Sequence, residues 1–205
     1  MIFLPEGQVV IPKVIFSWRI ESFFDRHWQN DAQFLDLAEL TTARSLADRI
    51  HWFRQVDDPA SNLVLHVLDD FIDLSQQHRF GHLALLGHFA LIEALITHDP
   101  AESRRLLSHQ VGTKMPLLMR RFRRRLNVRD FFALTTVQET WRLLYRLRSC
   151  YAHGDEPDFD RPGRDKGVEE LRNLYEAFRF VRESLKRLLI LALDEPQFVV
   201  DLKAC

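Results

Sequence analysis

The spacing of apolar residues changes character near residue 16. Before it, Val9, Val10, Ile11, Val14, Ile15 and Phe16 cluster in loose alternation, broken by Gly7 and two prolines, which predicts short strands or an extended arm. From Ser17 onward spacings of three and four take over. Ser17 stands as the N-cap of a predicted helix over 18–29, with Glu21 one residue away from the usual capping-box position. A helix over about 32–55 is carried by Phe34, Leu37, Ala38, Leu46, Ile50 and Phe53, and Asp57-Asp58-Pro59 closes it. The next, 60–77, gathers Leu63, Val64, Val67, Leu68, Phe71, Ile72 and Leu74 on one broad face.

Residues 82–97 are apolar on nearly all sides, the signature of a central buried helix, and Glu93 is its exception. A shorter helical stretch over 101–111 leads to Met115-Pro116. Beyond it Met115, Leu118, Met119, Phe122 and Leu126 continue a helical stripe, with Arg120, Arg121, Arg123, Arg124 and Arg125 on the other faces. A helix over 137–153 contains Val137, Trp141, Leu144 and Leu147, and Gly154 follows where a left-handed cap is wanted. The stretch 154–167, with two prolines, three glycines and several acids, reads as an exposed loop. A long helix over 167–193 aligns Leu171, Leu174, Tyr175, Phe178, Val181, Leu185, Leu188, Leu189 and Ala192, and Pro196 ends it. The expected fold class is all-α, an antiparallel helical bundle over 60–205, braced by N-terminal helices and a short extended arm within 1–59.

Composition narrows the chemistry. With 205 residues, 46% hydrophobic and 28% charged, the chain can bury a substantial core. A formal net charge of −1 removes any global attraction to nucleic acid or anionic membrane, so RNA contact must come from local patches. Two cysteines, Cys150 and Cys205, make neither a disulfide framework nor a zinc pair, which fits a reducing cytoplasm. The N-terminus lacks a basic leader, and the apolar run Leu188–Leu193 is far too short for a membrane span. A soluble cytoplasmic protein is expected.

The densest candidate chemistry lies at 145–154, Tyr-Arg-Leu-Arg-Ser-Cys-Tyr-Ala-His-Gly, where Arg148 and His153 form an R-x4-H pattern at a helix end. An arginine fork binds phosphate oxygens and a histidine transfers protons near neutral pH, so the pair suits phosphodiester cleavage without a metal. Five residues turn an ideal helix by about 500°, a net 140°, so the two side chains do not share a face. Arg142, Arg146, Ser149 and His153 do line up, which makes Arg146 a candidate auxiliary phosphate ligand.

This motif, preceded by Phe89-Ala90-Leu91-Ile92-Glu93-Ala94-Leu95 and by Leu107-Ser108-His109-Gln110 with Pro116-Leu117-Leu118, resembles the HEPN family, in particular its Apea-like branch. The resemblance covers about 81–193. It implies a homodimeric, metal-independent endoribonuclease of bacterial antiviral defence or toxin-type stress response, with Arg148 and His153 of both copies in one composite cleft. One departure is Ser149, where active members more often carry asparagine, aspartate or histidine.

Other readings stand beside this one. Arg148 and Glu93 can form an architectural ion pair inside the bundle, leaving a non-catalytic dimerisation or binding module. Tyr151 is available to a modifying antitoxin or sensor partner. Six arginines within 120–129, among them Arg120, Arg121, Arg124 and Arg125, make a local positive field able to track an RNA backbone or simply a solvated face. His78, His82 and His88 lack the supporting ligands of a metal site, and no glycine-rich phosphate loop is present, so neither metal nor cofactor is expected.

Overall fold

The most apolar helix of the sequence becomes the axis of the fold. In the computed structural model the described residues are 2–3, 9–10, 34–35, 37–77, 80–98, 104–133, 136–157, 159 and 168–204. Among them are seven α-helices: α1 (Leu37–Phe53), α2 (Pro59–Gln77), α3 (His82–Ile96), α4 (Arg104–Met119), α5 (Val137–Ala152), α6 (Leu174–Asp194) and α7 (Pro196–Ala204). Single 3-10 turns occur at Val128–Asp130 and Glu169–Leu171. Three two-residue strands, β1 (Ile2–Phe3), β2 (Val9–Val10) and β3 (Phe34–Leu35), form an antiparallel ribbon with Ile2 opposite Val10 and Val9 opposite Leu35. The body of the protein is an all-α helical bundle. The predicted helix over 18–29 and its Ser17 cap lie outside the described residues.

Helix α3 buries Ala84, Leu85, His88, Phe89, Leu91, Ile92, Leu95 and Ile96 and packs against α2, α4, α5, α6 and α7. Its C-terminal carbonyls are met by two lysines. Lys114 of α4 donates to the Ile96 carbonyl at 2.9 Å, and Lys203 of α7 donates to that of Ala94 at 2.8 Å, placing positive charge where the helix dipole is negative. Trp141 is fully buried, its indole N–H reaching the Met119 sulfur at 3.2 Å and its ring meeting Phe89 and Phe180 at 6.2 and 5.8 Å. Leu46, Ile50 and Phe53 of α1 join the same apolar cluster. No helix among the described residues is long and apolar enough to cross a membrane.

Four elements differ from the sequence pattern, each for a physical reason. The helix expected from about 32 begins at Leu37, because Phe34 and Leu35 pair with Val10 and Val9 as β3. The expected break before Met115-Pro116 is absent, and α4 runs through Pro116. Val111, Met115, Leu118 and Met119, all buried, span the proline and hold the turn although one backbone bond is lost. The expected continuation to Leu126 is also absent. Arg120 and Arg121 instead close the helix with bonds to the carbonyls of Leu117 and Leu118, so the arginines occupy a turn and irregular chain rather than helical faces. Continuing would stack Arg120 over Arg124 and Arg121 over Arg125, like charges one turn apart.

The last long helix starts at Leu174 instead of 167. Val168 and Leu171 are buried from the preceding 3-10 turn, Arg172 takes φ 59°, and Asn173 then caps α6 by accepting from the Glu176 N–H at 2.9 Å. Pro196 follows the end of α6 and also opens α7, which the pattern did not predict, because a proline at the first helical position gives up only an N–H that has no helical partner. At this junction Asp194 receives both Arg49 of α1 and, at 3.1 Å, Arg123.

Candidate functional site

Helix α5 positions the R-x4-H residues. Thr136 caps its start, accepting from the Glu139 N–H at 3.2 Å. Its end is a Schellman motif: the Asp155 N–H reaches the Cys150 carbonyl at 2.9 Å, and the Gly154 N–H reaches that of Tyr151 at 3.2 Å. Gly154 supplies the required left-handed conformation at φ 74°. His153 is the C-cap residue, with its backbone N–H spent on Ser149 and Cys150 and its side chain exposed.

The helix shows two polar faces. Toward α3, Tyr145 meets Phe89 edge-on at 6.3 Å, Arg148 meets Glu93, and Tyr151 stacks on His82 at 5.6 Å with 26° between the rings. On the outer face lie exposed Arg142, half-buried Arg146 and Ser149, and exposed His153. Arg148 therefore bonds Glu93 and not His153, as the net 140° of helical rotation predicts.

Arg148 Nη2 donates to Glu93 Oε2 at 3.1 Å, the two side chains being 28% and 13% exposed. Burial holds the Glu93 carboxyl above the ordinary carboxylate range, and the Arg148 charge and hydrogen bond pull it part of the way back. The pair is only partly satisfied. Arg148 Nε and Glu93 Oε1 are both buried without a hydrogen-bond partner. The guanidinium also lies 5.6 Å from the Tyr145 ring centre, and burial, reinforced by the Glu93 charge, raises the Tyr145 hydroxyl. Burial likewise raises the hydroxyl of Tyr151.

No protein-family model, no curated protein and no solved structure matches this chain.

The arginine-rich turn is partly committed. Arg121 bonds Glu195 at 2.6 Å and lies 4.2 Å over the Phe198 ring, while Arg123 is held by Asp194. The side chains of Arg120, Arg124 and Arg125 are exposed. Of the four arginines expected to contact RNA, Arg121 thus already has an acidic partner in the fold.

Sequence reasoning missed an aromatic cluster at the end of the bundle where α5 stops. Phe80 lies edge-on to Tyr175 at 5.6 Å and to Phe178 at 5.7 Å, and the stacked His82–Tyr151 pair starts at the same end of α3. The one available signal was local: Phe80 directly precedes Gly81 and the start of α3, a place where an aromatic is not needed for an apolar stripe, whereas Tyr175 reads as part of the stripe of the last long helix.

Proposed function

We propose that this chain is a metal-independent endoribonuclease of HEPN type, acting as a homodimer. The observation that carries the reading is Arg148: its guanidinium spends one bond on Glu93, its side chain is more than a quarter exposed, and it sits on the helix whose end presents His153. Arg148 binds the scissile phosphate and offsets the charge that builds up in the transition state. His153 transfers the proton between the 2′-hydroxyl and the leaving oxygen. Arg148 and His153 of one chain look to different faces, so the cleft is completed by a second copy. Arg146, Arg120, Arg124 and Arg125 guide the RNA backbone. A role in bacterial antiviral defence or toxin-type stress response follows from the sequence resemblance alone, as does control by an antitoxin or sensor acting at Tyr151.

A second reading has its own support. The Arg148–Glu93 bond also ties α5 to α3, which is what a non-catalytic binding module would keep, and Ser149 departs from the residue usual in active members. The two are separated by incubating the purified protein with mixed RNAs in EDTA. Cleavage is expected, and Arg148→Ala and His153→Ala each abolish it; wild-type rates in both variants would remove these residues from the site.

A further inference from the structure

Five large apolar side chains stand exposed among the described residues, and three of them, Phe80 (53%), Leu83 (56%) and Tyr175 (43%), belong to the end of the bundle where α5 stops. The rings there are held in place. Phe80 is fixed by its two edge contacts while more than half of its surface stays open. His82, which is exposed, stacks on the half-buried Tyr151 with 26° between the ring planes. An exposed ring stacked on a supported one offers a surface on which a further flat ring can stack.

Two guanidiniums stand near these rings. Arg148 and Tyr151 are three residues apart on α5, so the guanidinium and the stack are neighbours on one face. At the other side of the cluster, the Arg179 guanidinium, paired with Glu176 at 3.2 Å, lies 5.6 Å over the Tyr175 ring and 5.3 Å over that of Phe131. Rings beside guanidiniums complement a single-stranded nucleic acid, whose flat bases stack and whose phosphates carry charge.

We propose that His82 on Tyr151, together with Phe80 beside Tyr175, is a stacking platform for the unpaired bases of single-stranded RNA on either side of the phosphate held by Arg148. The inference takes its ligand from the ribonuclease reading and adds what that reading lacks, a contact to bases. Stacking on a ring accepts any base, so little sequence preference is expected. Bases inside a duplex already have stacking partners, so duplex RNA binds more weakly.

The test uses the full chain in EDTA and a short single-stranded RNA carrying 2-aminopurine, with affinity read by anisotropy of an end label. Binding with quenched 2-aminopurine fluorescence is expected, and a duplex of the same sequence binds more weakly. His82→Ala and Phe80→Leu each weaken binding about tenfold and relieve the quenching. Phe80→Leu keeps an apolar side chain against Phe178 and removes only the ring, so its effect reports stacking rather than folding. Three outcomes overturn the platform: no binding of the RNA, unchanged affinity and quenching in both variants, or a change confined to oligomeric mass, which would make the patch a protein interface. Cleavage separates the two proposals. RNA binding that depends on the rings, without any cleavage, keeps the platform and removes the ribonuclease; cleavage indifferent to both ring variants does the reverse.

Discussion

Helix α3 carries two polar side chains into the bundle, His88 and Glu93, and their surroundings are opposite. His88 is sealed. Phe71 and Phe178 stand edge-on to it at 5.8 and 5.3 Å, Nδ1 bonds the Ala84 carbonyl at 2.6 Å, and Nε2 is buried without a partner. Burial pushes its pKa down to about 4, opposed by the Ala84 carbonyl, with the positive charges of Arg182 and Lys186 adding to the fall. Glu93, five residues on, faces a counter-charge instead, and the Arg148 it bonds reaches solvent. A buried titratable group is thus no site in itself. His88 has neither a charged partner nor access for a substrate, whereas the Glu93 seam has both a counter-charge and, in the 28% exposed Arg148 side chain, an open edge.

The largest measurable difference between the two is in stability against pH. His88 is neutral in the folded protein down to about pH 4 but titrates near 6.5 when unfolded, so the unfolded state takes up the proton first. Its contribution is intact above pH 6.5, and about 3 kcal/mol is lost by pH 4. Urea midpoints measured across that range should fall, and His88→Phe should flatten the fall; an undiminished slope in the variant would show that His88 is not sealed. Glu93 tilts the curve the other way. Its folded pKa is raised, so the stability it adds is present below the unfolded carboxylate value of about 4.5 and is lost as pH rises through the folded value. Glu93→Gln should remove that loss on the same plots.

Next in size is the coupling across the seam. Arg148→Leu and Glu93→Leu should each destabilise, because each leaves an uncompensated, half-buried charge, while the double variant should cost less than their sum by about 1–2 kcal/mol. Additivity in denaturant unfolding would dissolve the contrast with His88. The smallest effect concerns the open end alone. Gly154→Ala places a side chain at φ 74° and should cost about 1 kcal/mol, lowering Tm by about 2–4 °C. A calorimetric scan with no shift would mean that the helix end bearing His153 is not fixed by this cap.

The seam was partly legible in the sequence. A single carboxylate in an otherwise apolar helix needs a partner, which is why Glu93 and Arg148 could be paired before any coordinates, and helical rotation alone separated Arg148 from His153. Stripes at 60–77, 82–97 and 137–153 became α2, α3 and α5 with ends shifted by about one residue, because there the apolar period and the caps agree. At α4 two signals conflicted. Burial of Val111 and Met115 outweighed Pro116, and charge repulsion then outweighed the apolar period beyond Met119. The aromatic end was hidden for another reason. Phe80, His82, Tyr151 and Tyr175 come from separated parts of the chain, and no local period relates them before the helices pack.

Asp194, which gathers Arg49 and Arg123, has a consequence for the growing chain. Arg49 leaves the ribosome 145 residues ahead of its acceptor, an interval of roughly 7–30 s at ordinary rates of about 5–20 residues per second. Throughout that time the ridge of Leu46, Ile50 and Phe53 has no α6 to lie against. The first described helix of the body is therefore a late arrival in assembly, and slow translation between residues 53 and 194 lengthens the period in which its apolar side is open to the wrong neighbour.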